Sequence, residues 1–330
     1  ISKMIDEIDD VDGVKATLGL DAIVGPAIPR DVIPSELTET LKQGNWQLML
    51  VQSEYKVASD EVNEQCTTIN DIVKKYDLSR PVTAACNGTD DNNPLFKSEA
   101  LDMIGFNYHE KEFADITKRH PKTPFIVTES VSSLQTRGFY VHPSDSVIIC
   151  PATWDTPYFN PTQKCSAYDN CHAPWGSTHE TNLKIVKKYP HISGQYIWTG
   201  FDYLGEPTPY WWPSRSSFFG IVDIAGFPKD VYYLYQSEWA SNDVLHIFPH
   251  WNWEKGQEID IWAYYNNADE VELYLNDVSL GKRSKQGEDM HVVWRVKYEP
   301  GTLKAITRKE GKMVLSKEIK TAGTPLAARL

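Results

Sequence analysis

Four apolar segments of this 330-residue chain end in groups that could hold or transform a polar ligand. Val82 to Cys86 runs into the amide of Asn87, and Leu101 to Phe106 runs into Asn107 and the phenol of Tyr108. Phe125 to Thr128 ends at the carboxylate of Glu129, and Gly194 to Trp198 closes on an indole. Where parallel strands close into a (β/α)8 barrel, the active site lies at their C-terminal ends. Polar endings that recur strand after strand therefore mark where chemistry is expected. The chain is also 12% aromatic. Flat apolar side chains stack on the C–H faces of pyranose rings, which suits a sugar-binding cleft, although most such rings are expected to fill cores.

The elements that must position these groups alternate between helical and apolar-strand segments, the signature of parallel β/α units. Val62 to Tyr76 reads as an amphipathic helix with Ile69, Ile72, Val73 and Tyr76 on one face, followed by a turn at Ser79, Arg80 and Pro81. A helix is expected over Lys111 to Arg119. Between Ser130 and Ser193 lies a long insertion with one helix over Thr178 to Lys188, and long loops at that face build substrate pockets. Beyond residue 243 the pattern changes to short alternating strands: Ile259 to Tyr265, Val271 to Leu275, His291 to Val296 and Thr302 to Thr307. Asn266–Asn267, Asn276–Asp277 and Pro300–Gly301 separate them, the spacing of an antiparallel sandwich. The expected organisation is 1–45 unassigned, 46–242 an α/β barrel region and 243–330 an all-β sandwich.

A net charge of −12 argues against nucleic acid or an anionic membrane surface as partner, because both recruit clustered Lys and Arg. No apolar run approaches the roughly 20 residues that span a bilayer, and no basic start with an apolar stretch marks a signal peptide. Five cysteines, Cys66, Cys86, Cys150, Cys165 and Cys171, lack zinc-like pairing. Cys150, Cys165 and Cys171 cluster in one loop-like stretch, where a disulfide and buried free thiols are both open readings. The histidines show no ligand spacing, so neither metal nor cofactor is expected.

Several strings together resemble family 2 of the glycoside hydrolases, especially its β-galactosidase-like members: RPVTAACN (80–87), DMIGFNYHE (102–110), TPFIVTES (123–130), YDNCHAPWGSTHE (168–180) and GQYIWTGFDYLGEPTPYWWPSRSSFFGIVD (194–223). In order and spacing they are similar to barrel strands five to eight. The tail HIFPHWNWEKGQEIDIWAYYNNADEVELYLN resembles the immunoglobulin-like domain that follows such barrels. The resemblance implies a (β/α)8 TIM barrel followed by an immunoglobulin-like sandwich. The reaction it implies is double-displacement hydrolysis of terminal β-galactosides.

A retaining glycosidase needs one carboxylate to attack the anomeric carbon and a second carboxyl about 5–5.5 Å away to protonate the departing oxygen. The resemblance makes Glu129 the nucleophile and Tyr108 the tyrosine that hydrogen-bonds it. It makes Trp198 the floor of the sugar subsite. Asn107, Trp175, Asp169, His179, Asp202 and Glu206 become further pocket positions. The acid/base falls on Glu54 in WQLMLVQSE (46–54), although the family's Asn-Glu pair reads Ser53-Glu54 here. Asn63-Glu64 restores the dipeptide but sits inside the expected helix, too near Arg80. A β-glucuronidase would be expected to offer an Asn-x-Lys carboxylate clamp, and a β-mannosidase is a further reading. Strands one to three of the barrel have no counterpart, so the barrel is expected to need its missing half or a partner, since an unclosed sheet exposes its edges. The alternative reading is a non-catalytic carbohydrate-binding remnant or an inactive fragment. A periplasmic or secreted location is implied by the resemblance alone.

Overall fold

The structure is a computed structural model that describes the backbone of 15–18 and 49–52 together with residues 70–153, 156 and 158–324. The chain divides into two compact units, Ile1–Ser130 with Ile185–Ile197, and Val131–Lys184 with Trp198–Leu330.

In the first unit β1 (Lys15–Leu18) runs antiparallel to β2 (Met49–Gln52), and β2 runs parallel to β3 (Val82–Ala84). A parallel bridge between Cys86 and Phe106 links β3 to β4 (Ile104–Asn107), which pairs in parallel with β5 (Phe125–Val131). The sheet continues from β5 to β8 (Ile192–Trp198). Gly105 permits the β3–β4 approach, because a Cβ there would lie 2.2 Å from the Ala84 carbonyl oxygen. One sheet face is apolar: Ile104, Phe106, Phe125 and Val127 pack with Phe113 and Ile116, and Ile185, Val186 and Tyr189 close over them. Phe106 meets Phe125 edge-on at 5.1 Å, a favoured aromatic geometry.

Of the expected helix at 62–76, residues 70–76 are described and are helical. The continuous helix expected over Lys111 to Arg119 is instead a 3-10 turn, Glu110–Glu112, and a single turn, Ile116–Arg119. Asp115 stands where the second turn begins, with its carboxylate on the Lys118 ammonium at 2.5 Å and no side-chain cap on the backbone. Arg119 is drawn into a loop network with Asp91 at 2.6 Å and Glu112 at 2.8 Å.

The second unit contains two antiparallel sheets. One orders β9 (Leu245–Phe248), β10 (Glu258–Tyr265) and β13 (His291–Lys297) as β13-β10-β9. The other orders β11 (Glu270–Leu275), β12 (Val278–Arg283), β14 (Thr302–Lys309) and β15 (Lys312–Lys320) as β12-β11-β14-β15. Alternation sends Val271, Leu273 and Leu275 inward from β11, and Leu303 and Ala305 from β14. They meet Ile259, Ile261, Ala263 and Trp294 of the facing sheet. Asn276 and Asp277 both adopt positive φ (49° and 64°), the two-residue hairpin geometry that these residue types favour.

β10 is buried on both faces, which its near-continuous apolar sequence anticipates. Asp260, Trp262 and Tyr264 are covered by the segment that precedes the sandwich. The Ser144 backbone N–H donates to the Asp260 carboxylate at 2.7 Å, and Trp262 Nε1 donates to the Ser144 hydroxyl at 3.0 Å. Burial alone would raise the Asp260 carboxyl, but Arg295 at 2.7 Å and the Ser144 donors hold it below the usual range. The helix Asp230–Trp239 joins the same face, where Asp230 pairs with His246 at 2.7 Å. These contacts group 131–184 and 198–242 with the sandwich, so the units do not divide at residue 243.

Candidate active site

In the first unit the ends of β3, β4 and β5 carry a hydrogen-bonded ladder of short polar side chains. The Thr128 hydroxyl donates to Asn107 Oδ1 at 2.8 Å, and Asn107 Nδ2 donates to Asn87 Oδ1 at 3.0 Å. Asn107 is 1% exposed, so its amide is engaged at both ends inside the protein. A buried amide left without partners would cost about 1–3 kcal/mol, which is why the ladder fixes the strand ends relative to one another. The backbone reinforces it, with Asn107 N–H donating to the Cys86 carbonyl at 2.9 Å.

Glu129 sits where the register steps. Phe106 faces Val127, but the next residue of β4, Asn107, faces Glu129, so β5 has one extra residue at Thr128. Such a bulge bends the strand and re-aims the side chain beside it. Tyr108 leaves β4 in the left-handed region (φ 59°), and its N–H donates to the Glu129 carbonyl at 2.6 Å. The structure therefore brings Asn107, Tyr108 and Glu129 together at adjacent strand ends, with Tyr108 buried and Glu129 half-buried. Glu54, Ser53, Asn63 and Glu64 lie outside the described residues.

The other expected site residues belong to the second unit, where Asp169 and His179 are buried, Asp202 is paired, and Trp175, Trp198 and Glu206 are half-buried or exposed. The Asp169 carboxylate accepts from the backbone N–H groups of His179 (2.9 Å) and Glu180 (2.8 Å), capping the helix His179–Lys188. Burial raises the Asp169 carboxyl to about 6 against the lowering by these donors. His179 is fully buried, 2.8 Å from the Tyr235 hydroxyl through Nδ1, and burial pushes its imidazole down to about 3, with Lys229 acting in the same direction. Asp202 forms an ion pair with Lys229 at 2.8 Å, and Lys229 is 1% exposed. Burial raises the Asp202 carboxyl and lowers the Lys229 amine, each opposed by the other's charge. Lys229 Nζ also donates to the carbonyls of Gln135 (2.8 Å) and Phe218 (3.1 Å), so one ammonium ties three loops.

Trp175 and Trp198 are half-buried against an aromatic cluster that includes Phe219, Tyr210 and Tyr203. Trp175 Nε1 donates to the Ser132 hydroxyl at 3.1 Å, and Trp198 meets Tyr203 edge-on at 6.0 Å. Glu206 is exposed and accepts a hydrogen bond from the Tyr203 phenol. Trp211 and Trp212, absent from the expected set, are 79% and 74% exposed, with Arg215 4.5 Å over the Trp212 ring. Their doublet in the sequence was the signal that could have found them. Lys229 carried no such signal, because an isolated lysine usually snorkels to solvent. Among the described residues no group of three or more His, Cys, Asp or Glu could hold a metal ion.

Comparison with known proteins adds the lineage. Residues 256–315 match the family described as "Domain of unknown function (DUF4982)". The chain is 57% identical over 276 residues to beta-galactosidase BoGH2A of Bacteroides ovatus, covering 83% of this chain and 32% of that protein. A solved beta-glycosidase from Bacteroides vulgatus is similar at 31% identity and a TM-score of 0.68, over 82% of this chain and 36% of that one. A glycosyl hydrolase family 2 member from Bacteroides cellulosilyticus is similar at 26% identity and a TM-score of 0.59, over 80% of this chain and 33% of that one. The chain thus spans about one third of the length of these relatives, and it belongs to glycoside hydrolase family 2.

Proposed function

We propose that this chain carries the nucleophile of a retaining β-glycosidase acting on terminal β-galactosides, and that Glu129 is that nucleophile. The observation that supports it most is the junction of β4 and β5, where a register step sets Glu129 opposite Asn107 and beside Tyr108. The likeness to a protein named a beta-galactosidase supports the sugar. In this reading β2, β3, β4, β5 and β8 are barrel strands four to eight, and the full barrel and activity belong to the longer polypeptide.

The Glu129 carboxylate attacks the anomeric carbon, the bond to the aglycone oxygen breaks, and that oxygen takes a proton from the general acid, assigned to Glu54. Water then attacks the glycosyl-enzyme, gives its proton back to Glu54 and frees Glu129. Tyr108 positions Glu129 and favours its charged form by hydrogen bonding. Trp175, Trp198 and Glu206 are assigned to sugar contacts. Asp169, His179 and Asp202 are supports rather than sugar contacts, because burial and pairing consume their polar atoms. A periplasmic or secreted location goes with this reading.

The test is intact mass after incubation with 2-deoxy-2-fluoro-β-galactosyl fluoride, beside Glu129→Gln. A fluorogalactosyl adduct on the wild type and none on the variant is the expected result. No adduct on a folded chain, even with the remaining barrel strands supplied in trans, would move the assignment to a carbohydrate-binding role.

A further inference from the structure

Three thiols that the proposed chemistry leaves unused meet in the second unit. Cys150, Cys165 and Cys171 are 1%, 4% and 4% exposed and share one apolar cluster with Leu134, Ala173, Tyr210 and Phe219. The short parallel pair β6 (Ile148–Ile149) and β7 (Cys171–His172) sets Ile148 opposite Cys171. The chain then leads Cys150 along β7, with its N–H donating to the His172 carbonyl at 2.9 Å. On the other side, Leu134 N–H donates to the Cys171 carbonyl at 2.8 Å and Thr136 N–H to the Cys165 carbonyl at 3.0 Å. Two donors two residues apart on one extended segment therefore hold Cys165 and Cys171 side by side. The Cys171 thiol stands between the others, hydrogen-bonding with both.

We propose that this trio is a structural disulfide site in which Cys171 bonds to either Cys150 or Cys165 and the third thiol stays reduced. In the folded chain the thiols are poor nucleophiles. Hydrogen bonding with Cys171 and burial both push the Cys150 thiol up. The hydrogen bond with Cys150 favours the Cys171 thiolate, but the bond with Cys165 and burial outweigh it and raise that thiol too. Because the thiolate is the attacking species, the bond forms while the loop is still open. The Cys171 thiolate attacks the disulfide of an oxidised dithiol oxidoreductase and displaces one of its sulfurs. The thiolate of Cys150 or Cys165 then breaks the mixed disulfide, so two thiols of this chain are oxidised and the two electrons and two protons they lose leave on the oxidoreductase as its dithiol. A Cys150–Cys171 bond closes the longer loop and so restrains the unfolded chain more than Cys165–Cys171. Either one fastens the segment that carries Ser132 and Trp175, whose hydrogen bond orients that indole. The site is independent of the assignment of Glu129.

The experiment refolds the protein in oxidised and in reduced glutathione, alkylates remaining thiols after denaturation and maps crosslinked peptides without reduction. Oxidised wild type should show two fewer alkylated thiols, a crosslink from Cys171 to Cys150 or Cys165, and a higher melting temperature than the reduced protein. Cys150→Ser and Cys165→Ser should each retain a crosslink through Cys171, and Cys171→Ser should retain none. Full alkylation of oxidised wild type overturns the proposal, as does a crosslink surviving in Cys171→Ser or one running to Cys66 or Cys86. If Cys171→Ser does not fold by circular dichroism, Cys171→Ala is read the same way, and the wild-type map decides by itself.

Discussion

The strand ends of the first unit and the loops of the second are both rich in polar side chains, but they use them oppositely. At β3, β4 and β5 the amides of Asn87 and Asn107 and the Thr128 hydroxyl satisfy one another, and the adjacent Glu129 stays half-buried. In the second unit Asp169, His179 and Asp202 are themselves the buried groups, each consumed by a helix cap, a tyrosine or an ammonium. A conspicuous motif can therefore mark a supporting role as readily as a contacting one, and burial with pairing tells them apart.

Four measurements sharpen or break that contrast. Glu129→Gln should lower the turnover of a nitrophenyl β-galactoside by the full-length polypeptide by about 10³-fold or more while leaving its melting curve in place, as expected when a covalent nucleophile is removed. A loss of stability instead would make Glu129 another support.

Lys229→Met should do the reverse, destabilising the fold by about 3–5 kcal/mol in denaturant titration, because it strands the Asp202 carboxylate without its buried counter-charge. The double variant with Asp202→Leu should recover much of that loss. If the single variant melts like wild type, the loops do not depend on this ammonium.

Asn107→Ala lies between the two classes. Removing the amide leaves the Thr128 hydroxyl without its acceptor and Asn87 without its donor, so a stability loss of about 1–3 kcal/mol is expected. An additional fall in kcat for hydrolysis would tie the ladder to the aim of Glu129, whereas a KM change alone would not.

The smallest effect is a pair of opposed pH slopes. His179 titrates near 3 when folded and at 6.5 when free, so the unfolded chain binds the extra proton and stability is lost as pH falls from 6.5 toward 3. Asp169 titrates near 6 folded and 3.8 free, so there the folded chain binds the extra proton and stability is gained as pH falls from 6 toward 3.8. Each slope is at most about 1.4 kcal/mol per pH unit, and they largely cancel where they overlap. Asp169→Asn should remove the compensation and steepen the acid-side loss of stability between pH 6 and 4, read from urea midpoints. An unchanged profile would mean the two groups are not buried as a pair.

Much of the fold is legible in the residue pattern. Phe125 to Thr128, Gly194 to Trp198 and the sandwich strands are marked by apolar runs or strict alternation, and they form with small shifts at their ends. The helix Asp230–Trp239 is not marked, because its DVYYLYQSEW sequence is rich in aromatic and branched residues that favour strands. It exists because Val231, Leu234 and Tyr235 are buried together along one face, a tertiary gain that outweighs weak local preference. The helix expected at Lys111 fails in the opposite way, since its periodicity is adequate but the loop interactions of Arg119 and the position of Asp115 divide it.

The sequence by itself determined which residues could do chemistry, the parallel then antiparallel plan of the chain, and its kinship with a glycosidase family. Those follow from residue type, period and order, which are local properties. Only the tertiary structure decided which polar groups are used up. It sealed Asp169 and His179, paired Asp202 with an unremarked Lys229, packed the three loop thiols into one apolar cluster and stepped the register of β5 at Glu129. Burial and pairing depend on partners far away in the chain, and no local pattern encodes them.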